Sequence, residues 1–231
     1  MLYELRHYDT QSARGLDALT QRFSRHTLRI WDRFGIEPVG FWSVIAGMPS
    51  PRLTYLLAWR DLAQRQTVWD KFTSDPEWKE VRAASEKEFG GSPVRTVTNS
   101  ILQATPYSRL PRRDNQPSRL TGGVFELRTY CFEEGAKLQE ASAWFGSQGI
   151  AHQEKHGLYA MGYWTTYIGI APRLTYMLVF ENLAHRERAW ASFYTDPDWP
   201  TLQDGLYPDG KPLVAQIDTA LMRGTQFSGW K

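Results

Sequence analysis

Alternation of apolar and polar residues predicts short β-strands, and apolar residues recur at helical spacing between them. Leu2–Tyr8 alternates with period two, Leu16–Phe34 carries an apolar stripe of helical period, and Val39–Ile45 and Leu53–Trp59 are rich in β-forming residues. A further helical region and a strand over Val94–Leu102 complete this half. The predicted order is β-α-β-β-α-β with an additional helix before the last strand, which is the order of a ferredoxin-like unit.

Residues with known capping roles delimit the predicted helices. Gly35 follows the first apolar stripe and is expected to end that helix, because glycine readily adopts the left-handed conformation of a C-cap. Asp61 is expected to cap the second helix. The pair Asp75-Pro76 combines an N-cap with proline at the first helical position, so a third helix should begin there.

The second half of the chain repeats the first. Pro51–Val81 returns without a gap at Pro172–Leu202, with 14 of 31 positions identical at an offset of 121, and Tyr3–Tyr8 returns as Phe125–Tyr130. A repeat of this length is too long for a solenoid unit, so each copy should be a complete small domain. Pro200 is expected to interrupt the last helix of the second copy.

These patterns predict two tandem domains and a linker. The first domain is placed at residues 1–106 and the second at residues 122–231. Residues 107–121 are rich in proline, include Arg112-Arg113, and should form an extended linker. Each domain has a sheet with helices on one face, so the uncovered faces are expected to pack sheet to sheet, giving an α+β pseudo-dimer.

Two short motifs occur in both halves and resemble a known family. Glu-Leu-Arg-x-Tyr stands at Glu4–Tyr8 and Glu126–Tyr130, and Trp-x-x-Phe-x-x-Asp-Pro-x-Trp stands at Trp69–Trp78 and Trp190–Trp199. Both resemble segments of NIPSNAP domains. The resemblance implies a dimeric α/β-barrel fold of ferredoxin-like units, shared with small monooxygenases, chlorite-dismutase-like haem proteins and muconolactone isomerases. It implies no particular reaction, because fold alone does not determine function.

Composition narrows the class of protein. A net charge of +2 argues against nucleic acid as a partner, and no run of about 18 apolar residues predicts a membrane span. The strand pattern begins at the first residues, which leaves no room for a leader segment, so a cytoplasmic protein is expected. Cys131 is the only cysteine, which excludes intrachain disulfides and thiolate clusters. The sequence has no P-loop, no GxGxxG after a strand, no GxSxG elbow and no paired cysteines, which argues against the common nucleotide-binding and hydrolase sites and leaves the cofactor unassigned.

One polar trio stands on the first strand of each copy. If Leu5 and Leu127 face the helices, the trios point into the space between the sheets, as buried ion pairs or as an acid–base pocket. Loss of either arginine is then expected to leave a carboxylate unpaired, at about 3–5 kcal/mol. The trios are Glu4, Arg6, Tyr8 and Glu126, Arg128, Tyr130.

A histidine pair distinguishes the second copy. His152 and His156 stand where the first copy has Ile30 and Phe34, so two imidazoles replace two apolar residues on a core-facing stripe. Spacing of four residues places both rings on one helix face, between that helix and the sheet. They are predicted as catalytic residues, with a hydrogen-bonded structural pair as the alternative. The motif HExxH is absent, so no metal is assigned.

Four further residues are candidates for substrate binding. His7 lies on the strand face of Leu5, and His26 lies at the edge of the first helical stripe. Tyr163 and Trp164 stand on the strand opposite the histidine pair, and a cavity bounded by His152, Tyr163 and Trp164 would support a site there.

The leading hypothesis is a NIPSNAP-type protein that binds a small apolar or aromatic molecule. Such a protein could be a nucleotide-independent enzyme of monooxygenase or isomerase type, and the sequence assigns no reaction. The competing hypothesis is a non-catalytic scaffold or protein-interaction module that uses exposed aromatics such as Trp230 or the corner of Trp78 and Trp199. Either protein is expected to be a homo-oligomer.

Overall fold

A computed structural model describes residues 1–47, 49–109 and 123–229. The chain divides into two compact units. The first comprises residues 1–102 and 223–229, and the second comprises residues 103–109 and 123–222. Arg112-Arg113 and Trp230 lie outside the described residues.

The first unit follows the predicted order of elements. Its strands and helices are β1 (Leu2–Thr10), α1 (Ala13–Arg22), a π-helical turn (Phe23–Thr27), α2 (Leu28–Phe34), β2 (Glu37–Ala46), β3 (Arg52–Trp59), α3 (Leu62–Ser74), α4 (Pro76–Phe89) and β4 (Val94–Ala104). Gly35 ends α2 with φ of 66°, as expected of a glycine C-cap. Asp61 accepts a hydrogen bond from the backbone of Gln64, and Asp75 caps α4 in the same way.

The second unit repeats these elements with a shorter last helix. They are β5 (Val124–Cys131), α5 (Gly135–Trp144), a π-helical turn (Phe145–Gly149), α6 (Ile150–Lys155), β6 (Tyr159–Ile168), β7 (Arg173–Phe180), α7 (Leu183–Tyr194), α8 (Trp199–Asp204), a 3₁₀ turn (Pro208–Gly210) and β8 (Gln216–Gly224). Pro200 lies in the first turn of α8, so the expectation that it interrupts a helix is wrong. A first-turn proline loses no helical hydrogen bond.

The two sheets have the same strand order and register. The order is β4-β1-β3-β2 in the first unit and β8-β5-β7-β6 in the second, with antiparallel neighbours. Arg6 pairs with Tyr55 across the first sheet, and Arg128 pairs with Tyr176 across the second. The α+β class with two ferredoxin-like repeats is therefore confirmed.

The polar trios face the helices, which corrects the predicted direction. Arg65 of α3 binds Glu4 at 2.8 Å, and the guanidinium of Arg6 lies 4.6 Å from the centre of the Trp69 ring on the same helix. Leu5 and His7 consequently lie on the opposite face of β1. Both faces of this strand are largely buried, so alternation could not reveal which one meets the helices.

An aromatic core lies between helices and sheet in each unit. In the first, Trp31 and Phe41 stack at 6.1 Å beside Tyr55. In the second, Tyr163 stacks on Tyr176 at 5.3 Å. None of the helices in the described ranges has the length and apolar character that a bilayer crossing requires.

Candidate functional site

The histidine pair of the second unit is buried against α7 and α8. His152 lies in α6 and His156 follows its last residue, with ring centroids 4.8 Å apart. His152 stacks on Trp199 at 5.6 Å and contacts Phe193 at 4.6 Å. The sequence placed the pair between α6 and the sheet, but that position is occupied by Gln153. The role predicted for the two histidines stays a prediction.

Asp196 joins the two histidines, and sequence reasoning missed it. One oxygen of Asp196 lies 2.7 Å from Nε2 of His156 and 2.7 Å from Nζ of Lys155. Hydrogen bonds from Lys155 and from the backbone of Asp198 lower the pKa of Asp196 to about 2, so the group is a carboxylate at neutral pH. Burial lowers the pKa of His152, and the neighbouring His156 lowers it further. Among the described residues, His152, His156 and Asp196 form the group whose donor atoms could hold a metal ion.

Tyr163 and Trp164 lie on opposite faces of β6. Tyr163 is buried, and its hydroxyl donates a hydrogen bond to the side-chain oxygen of Gln153 at 2.5 Å. Burial raises the pKa of Tyr163 well above its usual range, so it remains a neutral phenol. Trp164 is buried on the other face, because successive residues of a strand point to opposite sides.

His7 and His26 belong to the first unit and are not brought together. Nδ1 of His7 lies 3.0 Å from the hydroxyl of Thr54. Burial and the charge of Arg52 lower the pKa of His7 to about 4. His26 is exposed on the π-helical turn beside a depression that Arg25 also lines. Their predicted part in substrate binding stays a prediction.

A cavity of about 200 Å³ lies between the helices and the sheet of the second unit. None of the described residues that line it is charged. Aromatic side chains dominate, and Tyr194 and Tyr207 on its wall are exposed, so the cavity reaches the surface. The lining residues are Tyr130, Trp144, Phe145, Gln153, Trp190, Phe193, Tyr194, Trp199, Gln203, Leu206, Tyr207, Pro212, Val214 and Ile217.

The first unit has a corresponding groove of about 240 Å³ with a charged lining. There Arg22, Arg82 and Glu86 form a cluster, with Arg82 bonded to Glu86 at 2.9 Å and Arg22 at 3.9 Å from the same carboxylate. At offsets of 122 and 121, the second copy has uncharged residues at all three positions. They are Trp144, Gln203 and Tyr207.

Trp144 fits its position because two glycines lie against its indole ring. A Cβ atom added at Gly149 would stand 2.2 Å from the ring, and one added at Gly205 would stand 2.5 Å from it. The first copy has Thr27 and Ala84 at the corresponding positions. The indole also donates a hydrogen bond to the backbone oxygen of Leu202, so its orientation is fixed on several sides.

A buried ion network lies on the helix-facing side of the sheet next to the cavity. The Glu126 carboxylate accepts hydrogen bonds from Arg128 at 2.8 Å, from Arg186 of α7 at 2.8 Å and from the indole of Trp190 at 3.0 Å. Burial alone would raise the pKa of Glu126, but these donors outweigh it and lower the pKa. Arg128 lies 4.6 Å from the ring centre of Trp190, which lines the cavity, so the network orients part of the cavity wall.

The corner tryptophans are not free aromatic surface. Trp78 and Trp199 are half-buried, and each packs on the phenylalanine of the preceding helix, with Trp78 and Phe72 at 4.6 Å and Trp199 and Phe193 at 4.5 Å. This packing differs from the exposed corner that the interaction hypothesis assumed.

Comparison of the two copies could have revealed most of the site residues that the sequence reasoning missed. Gln153 replaces Trp31, in the same way that the histidines replace Ile30 and Phe34. Asp196 gives no such signal, because both copies have an Asp-Pro pair there.

Two solved structures match the fold over nearly the whole chain. A proposed monooxygenase from Lactobacillus acidophilus matches 98% of this chain and 97% of its own, with 9% identity and a TM-score of 0.59. An anthrone oxidase-like protein matches 100% of this chain and 94% of its own, with 10% identity and a TM-score of 0.56. At such identities these similarities concern the fold alone.

Family membership rests on sequence. No curated protein matches the chain. A NIPSNAP family protein of unknown function from Agrobacterium tumefaciens is 24% identical over 47% of this chain and 93% of its own, with a TM-score of 0.42. The family model for NIPSNAP matches residues 3–109 and again residues 125–229, which together are most of the chain. The chain therefore belongs to the NIPSNAP family, with two tandem repeats.

Proposed function

We propose that the protein binds a small, uncharged aromatic molecule in the cavity of its second unit. The observation that carries this proposal is the difference in lining between the two copies. The first groove holds the cluster of Arg22, Arg82 and Glu86, and the corresponding positions of the second cavity are uncharged. A cavity that retains no charge favours a neutral ligand, because a buried ionic group would have no partner there.

The size of the cavity suits about one enclosed ring, with any further ring reaching toward the opening. An apolar cavity of roughly 150 Å³ holds one benzene ring, and this cavity measures about 200 Å³ with an opening at Tyr194 and Tyr207. The indoles of Trp144, Trp190 and Trp199 line the cavity and offer aromatic surface to a ligand ring.

Uncharged polar groups give the ligand an orientation. Gln153 and Gln203 line the cavity, and the phenol of Tyr130 accepts a hydrogen bond from Tyr176 at 3.1 Å. An amide and a phenol can bind a hydroxyl or carbonyl substituent of a ring. Phenols and anthrones have such substituents, and proteins described as a monooxygenase and as anthrone oxidase-like share this fold. We extend the proposal to a nucleotide-independent oxidation by O₂, in which the ring CH₂ of an anthrone becomes a carbonyl and the second oxygen atom leaves as water.

The experiment is a calorimetric titration with phenol, 2-naphthol and anthrone. We expect 2-naphthol to bind the wild-type chain with Kd of about 10–100 μM, a range typical of a ligand of this size. The test variant is Gln153→Trp with Tyr163→Phe, which installs the first-copy pair Trp31 and Phe41 and replaces a polar amide on the cavity wall with a larger indole. Arg82→Ala is the matched control, because it alters only the groove of the first unit.

The outcomes separate the ligand hypothesis from its alternatives. The proposal is supported if the Gln153→Trp, Tyr163→Phe variant loses 2-naphthol binding and Arg82→Ala retains it. Binding by the double variant that equals the wild type contradicts the proposal. Oxidation is then assayed by oxygen consumption with the ligand that binds best. Binding without turnover would limit the function to transport or sensing.

A second candidate function is a protein-interaction module, favoured by an apolar hairpin. Tyr167, Ile168 and Ile170 in the second unit are 56%, 51% and 68% exposed. Three neighbouring apolar residues of this kind often mark an interface. Light scattering of the wild type and of a triple serine variant tests this role, and an unchanged mass would remove the hairpin as the interface of a homo-oligomer.

A further inference from the structure

We propose that His152, His156 and Asp196 bind a divalent transition-metal ion, with Zn²⁺ as the first candidate. Each residue offers one donor atom, and the three atoms lie within 4.8 Å of one another. His152 is 5% exposed, and the side chains of His156 and Asp196 are 8% and 4% exposed. Two imidazoles and a carboxylate are a donor set that Zn²⁺ and neighbouring metals accept.

The unsatisfied nitrogen of His152 is the observation that points to a ligand. Its Nε2 is buried and has no hydrogen-bond partner among the described residues. An imidazole nitrogen without a partner is costly in a buried place. A metal ion bound to this nitrogen would remove the cost.

His156 is already oriented as a metal ligand. Its Nδ1 lies 2.8 Å from the hydroxyl of Ser192, and its Nε2 lies 2.7 Å from a carboxylate oxygen of Asp196. Metal-binding histidines commonly have the other ring nitrogen held in this way, which fixes the tautomer and the ring plane. Ser192 therefore acts as the positioning residue of the site.

Comparison with the first copy separates the proposed site from the fold. The first copy keeps the carboxylate as Asp75, which binds Arg33 at 3.0 Å, but it has Ile30 and Phe34 in place of the histidines. Phe34 contacts Phe72 at 6.4 Å, just as His156 contacts Phe193 at 6.1 Å. The scaffold thus accepts apolar side chains here, and the imidazoles serve something beyond folding.

Lys155 competes with the metal ion for Asp196. Its Nζ lies 2.7 Å from Asp196 and 3.3 Å from Asp198, so it can keep the second carboxylate when a metal ion takes the first. Lys155→Met should therefore increase metal affinity. Three protein ligands also leave a coordination position for water, as in zinc sites of the open type.

The experiment measures Zn²⁺ bound to the untagged full-length chain by equilibrium dialysis, with Co²⁺ absorption as a second readout. We expect one ion per chain in the wild type, and a melting temperature that rises with Zn²⁺. His152→Ile and His156→Phe install the first-copy residues, and each should weaken binding on the order of 100-fold or more. His26→Gln is the control, because this residue is exposed and lies in the first unit.

Asp196→Asn keeps a side-chain acceptor in the turn after α7. This variant therefore still tests the site if the histidine variants fail to fold. A weaker affinity in all three ligand variants, with normal affinity in the His26→Gln control, supports the site. Retention of one ion per chain in the His152→Ile, His156→Phe double variant would overturn it. The proposal would also be overturned if the wild-type chain bound no Zn²⁺ at about 100 μM, a concentration on the order of the Kd of a weak surface site.

Discussion

Removing both arginines that bind Glu126 should destabilise the second unit by more than the sum of the two single substitutions. The carboxylate is fully buried and holds Arg128 through one hydrogen bond and Arg186 through two. Arg128→Ala therefore leaves Glu126 with Arg186, and Arg186→Ala leaves it with Arg128. Only the double variant leaves a buried carboxylate without a cation, with the Trp190 indole as its remaining donor.

The magnitude follows from what each change removes. Arg128→Ala loses one charge-assisted hydrogen bond, about 1.5–3 kcal/mol, and the contact with the Trp190 ring, about 0.5–1 kcal/mol. Arg186 is 19% exposed, so its loss should cost about 1–2 kcal/mol. An unpaired buried charge costs about 3–5 kcal/mol by itself. We therefore expect a coupling free energy of about 1–3 kcal/mol beyond additivity.

The assay is urea unfolding followed by far-ultraviolet circular dichroism at pH 7, on the wild type, the two single variants and the double variant. The matched cycle in the first unit uses Arg6→Ala and Arg65→Ala around Glu4, which has the same pair of arginines. A double variant whose destabilisation equals the sum of the singles would refute the shared-carboxylate account. A single Arg128→Ala cost clearly above about 4 kcal/mol would instead favour the unpaired carboxylate that the sequence suggested.

Two further predictions follow from single residues. Gly149→Thr installs the first-copy residue against the indole of Trp144. The resulting overpacking should lower the free energy of unfolding by about 1–3 kcal/mol in thermal unfolding and abolish 2-naphthol binding. Wild-type values for both measurements would contradict the packing argument. His7 has a folded pKa of about 4 against 6.5 when unfolded, so the unfolded chain binds more protons between these values and stability falls as pH drops from 6.5 to 4, by at most about 3 kcal/mol. His7→Asn should flatten that part of the pH profile in urea unfolding, and an unchanged slope would show that His7 is not responsible.

Much of the fold could be predicted because its determinants are local or repeated. Gly35, Asp61 and Asp75 mark helix ends through their own backbone preferences and side chains, and the structure confirms all three. The duplication also let strands be recognised twice, which reduced dependence on any single pattern.

The direction of the polar trios could not be predicted because it depends on distant partners. Alternation shows that Glu4 and Arg6 share a face, but only Arg65 and Trp69 of α3 decide which face it is. Both faces of β1 are mainly buried, so hydrophobicity gave no contrast.

The lining of the cavity was missed for a reason of helix geometry. The turn at Phe145–Gly149 is π-helical, which inserts a residue and rotates the following stripe relative to a regular α-helix. Gln153 consequently faces the cavity, and His152 faces α7. A regular period of 3.6 residues would instead direct His152 toward the cavity and Gln153 toward α7.

The most direct test of the proposed function is a crystal structure of the wild-type chain soaked with 6-bromo-2-naphthol. Anomalous scattering from bromine locates the ligand without ambiguity. The account predicts one bromine peak per chain in the cavity of the second unit, with the rings against Trp144, Trp190 or Trp199. A peak in the charged groove of the first unit, or an unoccupied cavity at a ligand concentration that saturates binding in solution, would contradict it.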